Sequence, residues 1–84
     1  AAVIIDGELS FLKSAKGTVS VFALSEAAEN VTLSGLLYPL NNSSLQNGFP
    51  LGVSNEFIGE PSSVKIGEGT ALVIWQGGLE IIRV

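Results

Sequence analysis

The chain has no cysteine, no histidine and no methionine in its 84 residues. Without cysteine there is no disulfide framework and no thiolate metal site, and the compartment is not constrained beyond fitting a reducing one such as the cytoplasm. Without histidine, the commonest general base and the commonest metal ligand are missing. Charge is also scarce: Asp, Glu, Lys and Arg together make 14% of the chain, with a net charge of −4. The only cations, Lys13, Lys16, Lys65 and Arg83, are scattered, which argues against a nucleic-acid surface. No apolar run approaches the roughly 20 residues that a membrane-crossing helix needs, so no membrane partner is expected. The uninterrupted apolar run at residues 71–75 reads as a buried strand. No segment of signal type precedes the first strand, and the start at Ala1-Ala2 reads as either a processed end or a piece of a longer protein.

Apolar residues make up 46% of the sequence, enough for one small globular domain over residues 1–84. The low charge predicts apolar surface that something else covers. Residues 2–5 read as a strand, Asp6-Gly7 as a two-residue hairpin turn, and residues 8–13 as the return strand with Leu9 and Phe11 on one face. Lys16-Gly17 is the next turn. In residues 18–24, Val19, Val21 and Ala23 alternate with Thr18, Ser20 and Phe22, a half-buried strand. Residues 25–29 are the one helix-like patch, one turn at most, with Ser25 as a possible cap. The next strand, 30–37, points Val31, Leu33 and Leu37 inward, and Gly35 suggests a bulge or a close backbone approach. Val64 and Ile66 point inward from a strand at 63–66, Gly67-Glu68-Gly69 and Gly77-Gly78 read as hairpin turns, and 79–84 is the last strand. Turns about every 8–12 residues, with no room for crossover helices, predict an all-β antiparallel sandwich or flattened barrel of about seven to nine strands.

Candidates for chemistry are few. The carboxylates Asp6, Glu8, Glu26, Glu29, Glu56, Glu60, Glu68 and Glu80 form no Asp-x-Asp cluster of the kind Mg²⁺ prefers. Most fall in predicted turns or on solvent faces, and Glu56 reads better as a structural hydrogen-bonding group than as a catalyst. The glycine-rich turns lack both the following helix and the Lys-Ser/Thr of a phosphate loop. Trp75, on a strand, reads as core or interface packing.

The least regular stretch is residues 33–57. A strand-like run ends at Tyr38-Pro39-Leu40, where the proline cannot donate to a sheet ladder. A polar loop is expected at 41–47, with Asn47-Gly48 as a turn pair, and Leu51-Gly52-Val53 runs into Ser54-Asn55-Glu56-Phe57. An aromatic ring and a short polar triplet brought near each other by a structured loop suit a flat small molecule with a polar rim. Tyr38 reads as ligand-facing or simply as a strand end, and Ser54 and Asn55 as ligand contacts or as turn caps.

In order and spacing, Leu33-Ser34-Gly35-Leu36, Tyr38-Pro39-Leu40-Asn41-Asn42, Gly48 and Gly52-Val53-Ser54-Asn55-Glu56-Phe57 resemble the C-terminal domain of bacterial thiamine pyrophosphokinases. The flanking strands fit that domain as well. The resemblance implies a thiamine-binding and dimerisation domain of an enzyme that transfers diphosphate from ATP to the hydroxyl of thiamine, giving thiamine diphosphate and AMP. It implies that Tyr38 packs on the aminopyrimidine ring, that Leu40 lines the site, and that Ser54 with Asn55 hydrogen-bonds the polar edge of thiamine or shapes the pocket. It places ATP and Mg²⁺ on an N-terminal domain absent from this chain, with the other subunit of a homodimer completing the site. The chain alone is then expected to hold no catalytic residue and no metal ligand, and to be inactive. The competing expectation is a structural dimerisation module without its own ligand. With one Trp and one Tyr, a carbohydrate platform is a weaker reading.

Overall fold

The computed structural model describes residues 2–46, 54–75 and 81–83, and for residues 2 and 81–83 the backbone only. Among them are nine strands and no helix: β1 (Ala2–Ile5), β2 (Glu8–Phe11), β3 (Thr18–Ala23), β4 (Ala27–Ser34), β5 (Leu40–Gln46), β6 (Asn55–Glu56), β7 (Ser62–Glu68), β8 (Thr70–Trp75) and β9 (Ile81–Arg83). They form a four-stranded sheet in the order β1-β8-β3-β6 and a five-stranded sheet in the order β5-β4-β7-β2-β9.

The pairings are nested. β1 pairs with β8, β2 with β7, β3 with β6 and β4 with β5, all antiparallel. The chain is therefore one long hairpin whose successive strand pairs fall alternately in one sheet and the other. That is a jelly roll, with β9 added beside β2. Period-2 alternation supplies the core between the sheets: Leu9 and Phe11, Val19 and Val21, Val31 and Leu33, Val64 and Ile66, Ala71 and Val73 are all buried. Each large aliphatic or aromatic side chain so buried contributes about 1.5–3 kcal/mol. Trp75 packs against this core, as its place on a strand suggests.

Several local expectations give way to long-range pairing. Asp6-Gly7 and Gly67-Glu68-Gly69 are not hairpin turns. β1 and β2 lie in different sheets, and so do β7 and β8, so the chain turns a corner and changes sheet at Asp6-Gly7 and at Gly69, with Gly67 and Glu68 forming the end of β7. The helix-like patch at 25–29 is a third corner and the start of β4, because Ser25 bonds the backbone of Thr70 across the corner. The polar segment expected as a loop at 41–47 is edge strand β5 over most of its length. Asn and Ser have poor strand propensity, and the pairing with β4 overrides it. β4 ends at Ser34, and Leu37 faces outward rather than inward. The run at 71–75 alternates instead of being uniformly buried: Ala71 and Val73 face in, Ile74 out. Asn47-Gly48, Leu51-Gly52-Val53 and Gly77-Gly78 lie outside the described residues, although β8 and β9, which flank the last pair, belong to different sheets.

Candidate functional site

The bend of the long hairpin, residues 35–39, sits at one end of the sandwich. Gly35 starts it. Its φ of 70° and its packing on the β6–β7 connection both require glycine, since a Cβ there would overlap the carbonyl oxygen of Pro61. The close backbone approach expected from the sequence is thus present. Leu36 is buried and bridges antiparallel to Phe57. The amide of Leu37 donates to the Glu56 carbonyl at 3.0 Å.

At the next residue a side chain replaces the backbone rung. The Tyr38 amide donates to Asn55 Oδ1 at 2.9 Å, and Asn55 Nδ2 donates to the Tyr38 carbonyl at 2.7 Å. Oδ1 also accepts from the Glu56 amide at 3.0 Å. Asn55 is 1% exposed, whereas Tyr38 is 62% exposed. The Tyr38 backbone is therefore pinned while its ring stands in solvent. Pro39 follows with its fixed φ, and Leu40, half-buried against the core, begins β5 opposite Leu33.

The floor of this end is aromatic. Phe57 meets Phe11 edge-on, with ring centroids 5.0 Å apart, and Phe11 meets Trp75 in the same way at 5.2 Å. The Phe57 amide donates to the Gly17 carbonyl at 3.0 Å, which ties the β2–β3 connection to the same end. Leu12, Leu37 and Ile58 leave much of their apolar surface exposed. Ser54 is exposed beside buried Asn55. The fold thus brings Tyr38 and Asn55 into direct contact, with Ser54 next in the chain to one and Leu40 two residues from the other.

Among the described residues, no three His, Cys, Asp or Glu side chains converge on a point that could hold a metal ion. The Glu56 side chain is exposed, and only its backbone enters the bonds given above. Sequence reasoning did not find the Leu36–Phe57 bridge or the double bond from Asn55 to Tyr38. The available signal was the paired change of pattern in Gly35-Leu36-Leu37-Tyr38 and Asn55-Glu56-Phe57, where strict alternation stops in both segments.

By its fold and this end, the protein is a jelly-roll sandwich domain that displays an aromatic ring from a hydrogen-bonded bend. A family model described as thiamin pyrophosphokinase, vitamin B1 binding domain, matches residues 7–71, and the chain belongs to that family. All four expected contact residues fall inside the match. Among solved structures, the chain is similar to thiamine pyrophosphokinase from Bacillus subtilis, at 29% identity and a TM-score of 0.78 over 92% of this chain and 37% of that one. It is similar to thiamin pyrophosphokinase from Geobacillus thermodenitrificans at 28% identity and the same TM-score, over 92% of this chain and 36% of that one. The chain therefore spans little more than a third of these proteins. No curated protein matches it.

Proposed function

We propose that this chain is the thiamine-holding β domain of a cytoplasmic thiamine pyrophosphokinase. It positions the hydroxyl of thiamine for in-line transfer of diphosphate from ATP, which releases AMP. The observation that carries this reading is Tyr38, an exposed ring on a backbone held at both its N–H and its C=O. The ring packs on the aminopyrimidine, Leu40 adds apolar contact below it, and the Ser54 hydroxyl can donate to or accept from the polar edge of the ligand. Mg²⁺ and ATP are held, on this reading, by a separate ATP-binding domain of the parent enzyme. On this reading the 84-residue chain alone transfers no diphosphate. In a full-length enzyme carrying this domain, Tyr38→Ala should raise KM for thiamine about tenfold, the value of a lost aromatic contact, and leave KM for ATP unchanged. Equal effects on both substrates would sink the assignment.

A second role, self-association, is favoured by a difference between the two outer sheet faces. On the four-stranded sheet, Val3, Leu72 and Phe22 form one cross-strand row, flanked by exposed Ile5 and Ile74. On the five-stranded sheet the corresponding rows are Glu8, Lys65 and Thr32, then Ser10, Ser63 and Ser34. Among the described residues the one charge on this face is Glu56, opposite Thr18 at the β6 edge, so a second copy of this chain of net charge −4 can pack on the Val3, Leu72 and Phe22 row with little like-charge repulsion. Sizing across concentration, with and without thiamine, separates the roles. A dimer that ignores thiamine, in a protein with no response to the ligand, favours a purely structural module. An Ile5→Glu/Ile74→Glu protein that still dimerises rules this face out.

A further inference from the structure

Two polar residues are buried among the described residues, Asn55 and Ser62, and they contrast sharply. Ser62 Oγ meets no hydrogen-bond partner. Asn55 uses both acceptor positions of Oδ1 and at least one N–H of Nδ2, and two of these three bonds go to one residue, Tyr38. A carboxamide that offers C=O to a residue's N–H and N–H to its C=O reproduces the two-bond exchange of an antiparallel β rung. It fixes the peptide planes on either side of the Tyr38 Cα. The Leu37–Glu56 bond fixes the residue before, and Pro39 restricts the residue after. Only the side-chain torsions of Tyr38 are left to adjust.

We infer that Asn55 is a positioning residue of the thiamine site. Buried at 1% exposure, it reaches no ligand, and it acts by setting where the Tyr38 ring stands. This rests on the proposal that Tyr38 packs against thiamine. It separates Asn55 from Ser54, its exposed neighbour, which is placed to touch a ligand directly. The amide group is required at both ends. In Asn55→Asp, an oxygen would face the Tyr38 carbonyl in place of the donor, and in Asn55→Ser the side chain falls short of Tyr38.

The test is a double-mutant cycle in the full-length enzyme carrying this domain, with Asn55→Ser, Tyr38→Ala and the pair, reading KM for thiamine and for ATP. Each single change should raise the thiamine KM about tenfold, and the pair should be no worse than the poorer single variant, because Asn55 acts only through Tyr38. Amide hydrogen exchange supplies a readout independent of ligand. Tyr38 and Glu56 amides should be protected in the wild type and lose protection in Asn55→Ser, while Val21 and Val73 in the core keep theirs. Effects that multiply in the pair overturn the positioning role alone and make Asn55 an independent contact. An unchanged thiamine KM in Tyr38→Ala overturns the thiamine reading and this inference with it. Rapid exchange at Tyr38 in the wild type overturns the clamp even if Asn55→Ser does not fold.

Discussion

β4 runs the length of the sandwich, roughly 25 Å from Ala27 to Ser34, and a polar side chain ties backbones together near each of its ends. At the Ala27 end the group is the Ser25 hydroxyl. It donates to the Ala27 carbonyl at 2.6 Å and accepts from the Thr70 amide at 3.0 Å. The Leu24 amide donates to the Thr70 carbonyl at 2.8 Å, and next to it the Gly69 amide donates to Asp6 Oδ1, also at 2.8 Å. Three connections that change sheet, β1–β2, β3–β4 and β7–β8, are locked together there. At the Ser34 end Asn55 does the tying, but one of the residues it holds, Tyr38, keeps a large ring outside the fold. The corner bonds join backbone to backbone and close the fold. The bend uses the same kind of bond to present something. On the proposed reading, that difference is what sets the Tyr38 end apart as the one that meets thiamine.

The comparison breaks hardest at Gly35. Alanine there would adopt a positive φ and press on the Pro61 carbonyl, so Gly35→Ala should cost about 3–4 kcal/mol, from backbone strain plus the shift of a packed segment. Denaturant unfolding should find the variant largely unfolded or its midpoint sharply lowered. A near-normal midpoint would mean that the bend is not held against the β6–β7 connection.

Ser25→Ala attacks the other end. It strips the Thr70 amide of an acceptor and the Ala27 carbonyl of a donor, and should cost about 2 kcal/mol, a fall in Tm of roughly 10 °C for a domain of this size. Exchange at the Tyr38 amide should stay slow below the new Tm. Faster exchange there would show that the two ends are coupled and that the division between closing and presenting is false.

How much of this could be read beforehand follows from what local sequence encodes. The alternation of Val19, Val21 and Ala23, and of Val64 and Ile66, gave the inner faces, because side-chain period is a local property. Asp6-Gly7 and Gly67-Glu68-Gly69 permit either a hairpin or a corner. Which one forms depends on β1 pairing with β8 and β2 with β7, partners about 60 residues away in sequence. The same holds at the site. Pro39 signals that Tyr38 leaves the ladder, and Gly35 signals close approach. Nothing local shows that Asn55, 17 residues on, is buried beneath Tyr38 rather than beside a ligand. Ser25 likewise reads as a helix cap because its acceptor geometry is the same in both settings, and only the arrival of Thr70 decides between them.

Ser62 sharpens the picture of the bend by a small effect of opposite sign. Its hydroxyl is buried without a partner, and its Cα lies against Gly35. Ser62→Ala removes a desolvated polar group and adds no bulk, so it should raise stability by about 0.5–1 kcal/mol, seen as a higher unfolding midpoint at unchanged slope. A loss of stability would indicate that the hydroxyl is hydrogen-bonded in solution, and that Asn55 is not the one buried side chain that ties this end together.

The smallest stability effect belongs to the residue of greatest functional interest. The ring of Tyr38 is mostly in water, and its tie to the fold runs through backbone atoms that alanine also has. Tyr38→Ala should therefore shift the unfolding free energy by no more than about 0.5 kcal/mol, the usual range for a surface substitution. A core aromatic such as Phe11, by contrast, costs about 3–5 kcal/mol when cut to alanine. A large aromatic side chain that can be deleted without loss of stability has no structural reason to be there. Paired with a raised thiamine KM, that neutrality separates presentation from packing at this end of the sandwich. A cost of 2 kcal/mol or more would place the ring among the groups that close the fold, make the bend a second corner, and leave the thiamine reading without its main support.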